Sequence, residues 1–226
     1  MPATRYARVL GVSTALFTAL VATVLLWDDV DRIDVRFVSW VHRNAPDGVV
    51  EAMRVVSYAG SGLALGVVAL TTAILLTRRQ RSRAAALVVA ASVGGLLATQ
   101  ALKAAVRRAR PEFDEPYVQL TTYAFPSGHA LGATATYGAL AIVLATSVRA
   151  PRKRRALVGG LCALIVLIAA SRVVLGVHYL LDVIAGMVGG IALLSALLLA
   201  YELAPHRGVR LRVRRDEQAQ SPGSDV

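Results

Sequence analysis

Residues 125–148 read FPSGHALGATATYGALAIVLATSV. From His129 onward the stretch is apolar and, at roughly 20 residues, long enough to cross a hydrocarbon core as a helix. Its doorway is different. Pro126, Ser127, Gly128 and His129 place a helix breaker, a hydroxyl, a flexible residue and an imidazole where the apolar run begins. A helix start accounts for the proline and the serine, as boundary and N-cap, and leaves the histidine over. A helix N-terminus also presents free backbone N–H groups, which hold anions. The doorway is therefore a candidate site as well as a cap.

Five further blocks of the same kind surround it, at 8–27, 55–77, 84–106, 156–171 and 179–201. The chain has 226 residues, of which 56% are hydrophobic and 17% charged, with a mean hydropathy of +0.57. That pattern excludes an ordinary soluble domain. It predicts an all-α polytopic membrane protein, a bundle of six transmembrane helices whose Ala- and Gly-rich faces pack closely. The first block follows Arg5 and Arg8 like a secretory signal, but its apolar run exceeds the roughly 7–15 residues of a signal core and reads as an uncleaved helix. Cys162, inside the block at 156–171, is the only cysteine. It excludes an internal disulfide and a cysteine-based metal site, and reads as a small buried apolar residue.

The net charge of +11 is distributed by side. Arginines cluster in TRYAR, RRQRSR, RAPRKRR and HRGVRLRVRR. Six alternating crossings put all four clusters on one side, with 16 of the 25 basic residues and 4 of the 14 acidic ones. Basic loops stay in the cytoplasm, which places both termini there. The runs are then topology signals that also touch anionic lipid, and not a nucleic-acid site. Residues 1–205 form one membrane domain, and the basic stretch 206–226 reads as a disordered cytoplasmic tail. Between the first two blocks Val30, Ile33, Phe37 and Trp40 recur at helical spacing, with Asp31, Arg32, Asp34 and Arg36 between them. This predicts an amphipathic helix lying on the outer interface, with His42 on its polar face.

Three polar clusters then fall near the outer surface. Lys103 and Arg110-Pro111 lie at the end of the third block; alone they read as cations snorkelling to the interface, and Arg107 and Arg108, offset from them, keep that reading. Ser127, Gly128 and His129 form the second cluster. Ser171, Arg172, His178 and Asp182 form the third; His178 and Asp182 are four apart and share a face if helical. An ionisable pair inside an apolar span is costly unless paired or functional. Together the clusters supply one task. Lys103, Arg110 and Arg172 match a phosphate dianion, and Ser127 and the N–H groups around Gly128 add directional donors. Two histidines allow a nucleophile oriented by Asp182 and an acid for the leaving oxygen. No metal cage or cofactor motif is seen, and the three cations can do a metal's electrostatic work. Glu112, Asp114 and Glu115 sit oddly beside an anionic substrate and read as solvated loop residues.

The order K-x6-R-P, P-S-G-H, S-R-x5-H-x3-D between Lys103 and Asp182 resembles the three-part signature of the type 2 phosphatidic acid phosphatase and vanadium haloperoxidase superfamily, and all eleven specified positions match. The resemblance implies His178 as the nucleophile forming a phosphohistidine, Asp182 as its orienting partner, and His129 as general acid and later base. It implies Lys103, Arg110, Ser127, Gly128 and Arg172 as the phosphate cradle, with Ser171, Pro111 and Pro126 keeping its shape. It also implies, for integral-membrane members, a six-helix core with the site facing away from the cytoplasm. The expectation is a metal-independent membrane lipid phosphatase with its site outside the cytoplasmic membrane. Undecaprenyl or another polyprenyl diphosphate is its first substrate, with phosphatidic acid and phosphatidylglycerol phosphate next. A phosphotransferase with an alcohol acceptor is the alternative. Six spans speak against a haloperoxidase, and an undecayed signature against a non-enzymatic membrane protein.

Overall fold

The computed structural model describes residues 2–204 other than 115 and 119. Among the described residues it consists of eight α-helices and no strand. They are α1 (Pro2–Leu26), α2 (Asp28–Asn44), α3 (Asp47–Tyr58), α4 (Gly62–Arg78), α5 (Ser82–Val106), α6 (Gly128–Ser147), α7 (Pro151–Val174) and α8 (Leu180–Leu203). The expected class holds. Helices α1, α5, α6, α7 and α8 are each long and apolar enough to cross a membrane, and α3 with α4 passes that test as a pair bent by 46°. The chain is a multi-span membrane protein. The tail at 206–226 and Glu115 lie outside the described residues.

The block expected as one helix over 55–77 is instead divided between α3 and α4. Gly60 and Ser61 explain the break. Ser61 is extended and caps α4, its Oγ accepting from the Ala64 N–H at 3.2 Å. Gly60 lies against the next wall of the bundle, where an added Cβ would stand 3.0 Å from Cδ2 of His129. Tyr137 of α6 closes the junction by donating its hydroxyl to the Ala59 carbonyl at 2.7 Å.

Helix α6 is the axis, packed on by α4, α5, α7 and α8. Its inner positions are small, with Ala130, Ala133, Ala135 and Ala139 all fully buried, so backbones approach closely where lipid offers no hydrophobic gain for association. The tightest approach is to α8. A Cβ added at Gly186 would lie 2.6 Å from the Ser127 carbonyl oxygen, and one added at Gly190 2.8 Å from the Leu131 carbonyl. The outer faces carry Leu63, Leu70, Leu97 and Val166, all exposed, an apolar girdle suited to lipid. Cys162 is exposed too, and the expectation that it is buried is wrong. The buried stripe of α7 begins only at Ile165, and the first half of that helix faces its surroundings.

The helix ends sort by chemistry. At one end the arginine-bearing α4–α5 turn meets the end of α6, with Arg81 donating to Ser147. At the other end α5 and α7 finish, and α6 and α8 begin. Helix α2 packs on α7 and α8 at this second end. It is helical as expected, but its inward stripe is Val30, Asp34 and Val38, whereas Ile33, Phe37 and Trp40 are exposed. Exposed aromatics suit the expected membrane interface, and the reason an aspartate turns inward lies in the site.

Candidate active site

Each cluster is positioned by a helix end. Helix α5 stops because Arg107 takes a left-handed φ of 53° and returns its N–H to the Lys103 carbonyl at 3.0 Å. The described residues between α5 and α6 form no helix, and this stretch carries Arg110 back beside Lys103, both donating to the Tyr123 carbonyl. Both cations are steered by the same two residues. Lys103 Nζ donates to the Tyr123 carbonyl. Arg110 donates to the Thr122 carbonyl, to Thr122 Oγ1 at 2.9 Å and to the Tyr123 carbonyl at 3.2 Å.

Ser127 caps α6 with its Oγ 3.5 Å from the Ala130 N–H, and its own N–H donates to the Asp182 carbonyl at 2.9 Å. It is wholly buried, so of this cluster Gly128 and His129 form the cavity wall and Ser127 supports them from behind. Arg172, in the last turn of α7, donates to Ser57 Oγ of α3, while its buried Nε makes no hydrogen bond among the described residues. Ser171 is turned inward and donates to the Ile168 carbonyl at 2.6 Å. Past α7 the chain reverses at Gly176, whose φ of +67° suits glycine, and delivers His178 two residues before α8.

His178 is therefore not on a helix, contrary to the expected helical pairing with Asp182. The pair forms by capping geometry. Asp182 is the third residue of α8 and its Oδ2 reaches back to accept from the Tyr179 N–H at 3.0 Å, with His178 Nδ1 at 3.4 Å. The other ring nitrogen, Nε2, lies 3.3 Å from Arg110. Burial, then the charges of Arg110, Arg172 and Lys103, push the His178 pKa well below its ordinary value, which keeps the imidazole neutral.

Lys103, Arg110, Gly128, His129, Arg172 and His178 all line one cavity of about 330 Å³. Its walls continue along Leu65 and Gly66 of α4 and Val93 and Leu96 of α5. Val93 and Leu96 are also exposed, so the charged end communicates with the apolar surface between α4 and α5. Glu112 and Asp114 are exposed, as expected of solvated residues. Among the described residues no group of three or more His, Cys, Asp or Glu side chains could hold a metal ion.

Sequence reasoning missed Arg108. The sequence groups it with Arg107 as an interfacial cation; Arg107 is exposed, but Arg108 is buried. Its guanidinium donates to Asp182 Oδ1 at 2.6 Å, to Asp34 Oδ2 at 2.9 Å and to Asp31 Oδ1 at 2.5 Å. It also stacks 4.3 Å from the Tyr179 ring centroid. Burial works against its charge, but the three carboxylates outweigh it and hold the pKa above its ordinary range. This is why α2 turns Asp34 inward. His42 is likewise no plain polar-face residue: its ring stacks on Phe113 with centroids 4.0 Å apart, and its carbonyl accepts from the Tyr117 hydroxyl at 3.1 Å. It pins the crossing segment over the site. The signals available were the charges on the α2 face and the aromatics Phe113 and Tyr117 in a polar loop, none of which names a partner by itself.

The fold and the site define a multi-span helical membrane protein that gathers cations and two histidines among helix ends, an arrangement able to bind a phosphate and act on it. Residues 83–204 match the family model described as PAP2 superfamily. The chain belongs to that family. It is 36% identical over 98 residues to phosphatidylglycerophosphatase B of Bacillus subtilis (strain 168), covering 43% of this chain and 48% of that protein. The match thus spans about half the length of that relative. It is 35% identical over 142 residues to decaprenylphosphoryl-5-phosphoribose phosphatase of Mycolicibacterium smegmatis (strain ATCC 700084 / mc(2)155), covering 62% of this chain and 72% of that one. In fold it is similar to the crystal structure of a transmembrane PAP2 type phosphatidylglycerolphosphate phosphatase from Bacillus subtilis, with a TM-score of 0.78, 22% identity, and coverage of 88% of this chain and 98% of that one.

Proposed function

We propose that the chain is a lipid phosphate phosphatase working through a phosphohistidine at His178. The observation that carries this is the shared cavity in which three cations and two histidines meet a wall that continues to the lipid-facing surface. Lys103, Arg110 and Arg172, with the N–H groups at the start of α6, hold the phosphoryl oxygens. Ser127 fixes the position of those N–H groups. His178 Nε2 attacks phosphorus as the bond from phosphorus to the lipid oxygen breaks, and His129 gives that oxygen its proton. Nδ1 keeps its hydrogen toward Asp182 throughout. In the second step His129 takes a proton from water, the water oxygen bonds to phosphorus, the phosphorus–nitrogen bond breaks and inorganic phosphate leaves.

The α3–α4 pair serves as one broken crossing in this reading, giving six. The arginine-bearing turns and both chain ends face the cytoplasm, so the site opens outside the cytoplasmic membrane, within one membrane domain over 1–205 that precedes the basic tail. A lipid substrate reaches the cations sideways between α4 and α5. The names of the two relatives carry a phospholipid and a polyprenyl lipid, which supports lipid phosphates as the class. A carrier lipid discharged outside needs its phosphate removed there, which puts polyprenyl diphosphate first and phosphatidylglycerol phosphate and phosphatidic acid beside it.

The test is phosphate release by the detergent-purified chain, with EDTA present, against those three lipids in parallel. Release that survives EDTA and disappears in His178→Ala is expected. Full activity in that variant, or its loss to EDTA in the wild type, overturns the mechanism. Transfer of phosphate to an added alcohol in place of release identifies a transferase.

A further inference from the structure

Arg108 does not line the 330 Å³ cavity, yet it is tied more closely to Asp182 than the histidine is. The Asp182 carboxylate is fully buried, and its two oxygens are divided. Oδ2 serves the Tyr179 N–H and faces His178 Nδ1. Oδ1 is held by Arg108. A buried carboxylate with only an amide and a neutral imidazole for company lacks compensation for its charge. Arg108 supplies that charge, and because its planar fork arrives on Oδ1 it also fixes the rotation of the carboxylate that leaves Oδ2 toward the imidazole. The other arm of the fork is held by Asp34, buried in α2, and by Asp31, which is 58% exposed at the rim. The ring of Tyr179 covers the guanidinium. A lysine cannot bridge both carboxylates in one plane.

We propose that Arg108 is a positioning residue for the reaction: clamped by Asp34 of α2, it orients Asp182 so that His178 keeps its Nδ1 proton and presents Nε2 to phosphorus. The inference rests on the phosphohistidine reading above. It makes α2, an interfacial helix distant in sequence from the signature, part of the catalytic apparatus, and separates Arg108 from the cations of the cradle. Loss of Arg108 then slows the chemical step and leaves phosphate binding in place. It does so only while Asp182 is there to be oriented.

The experiment is a double-mutant cycle on the full chain in detergent, with short-chain phosphatidic acid as the probe and kcat and KM read separately. Arg108→Met is expected to lower kcat by about 100-fold, the scale of one lost preorganising donor, with KM and inhibition by inorganic phosphate within about threefold. Arg108→Lys regains little of it. In the Asp182→Asn background the same Arg108→Met change costs no more than about threefold, as for residues acting as one unit. Asp34→Asn, which keeps the buried shape, is the second probe should Arg108→Met fail to fold. It lowers kcat several-fold with KM unchanged and adds nothing to Asp182→Asn. An undiminished kcat in Arg108→Met, or a full loss repeated on top of Asp182→Asn by either variant, overturns the proposal while His178→Ala still vouches for the phosphatase. A wild type that releases no phosphate from any lipid removes both readings together.

Discussion

In the mechanism proposed above His178 attacks as a neutral imidazole, and its surroundings favour that form. It is 2% exposed, and burial is joined by the charges of Arg110, Arg172 and Lys103 in pushing its pKa well below the ordinary value. The sign follows directly. As pH falls, protonation of the free enzyme's nucleophile is delayed to below about 6.5, the ordinary imidazole value. The acid limb of kcat/KM, corrected for ionisation of the substrate phosphate, is expected below that pH, and a limb at about 6.5 in the wild type contradicts this account of the site. The signature residues were legible because their chemistry is unusual inside apolar blocks. Arg108 was not. Arg107 and Arg108 are chemically identical neighbours, and what separates them is the left-handed turn at Arg107, which leaves one side chain at the surface and the other inside.

At the scale of elements, the position of Ser127 depends on how closely α8 approaches α6. Gly186 faces the Ser127 carbonyl, and the Ser127 N–H donates to the Asp182 carbonyl one turn earlier on α8. Gly186→Ala is expected to cost roughly 1–3 kcal/mol by overpacking, read as a lowered unfolding temperature in detergent, and to lower activity with it. Gly160→Ala, on α7 with open space where its Cβ would stand, is the control and is expected to be silent. Equal stability in the two variants removes close α6–α8 packing from the account. Helix existence was legible here from apolar block length, and the small residues foretold close packing. The break at Gly60 and Ser61 does not follow from block length, although both residues favour one. The exposed apolar face of α2, with Ile33, Phe37 and Trp40, was legible as an interfacial one, whereas the inward turn of Asp34 was not. Periodicity finds a face, but which face turns inward was decided by Arg108, more than 60 residues away in sequence.

The whole molecule is a bundle whose two ends differ in kind. One end is a set of short basic turns; the other gathers four helix ends, the crossing segment from Arg107 to Ser127 and the interfacial helix α2 around one buried charge cluster. The long apolar helices were readable because apolar length is a property of each segment alone. The carboxylate network that braces the site was not, because it joins α2, the segment after α5 and the start of α8, and no local pattern records that meeting. The proposed mechanism places the reaction at one atom, His178 Nε2, which lies 3.3 Å from Arg110. The most direct test mixes the purified chain with a lipid phosphate labelled in its terminal phosphoryl group and quenches the reaction within the first turnover. The account predicts an acid-labile, alkali-stable label on His178, absent in His178→Ala and longer-lived in His129→Ala, whose second step lacks its base. Turnover with no label on the protein, or with the label on another residue, would contradict it.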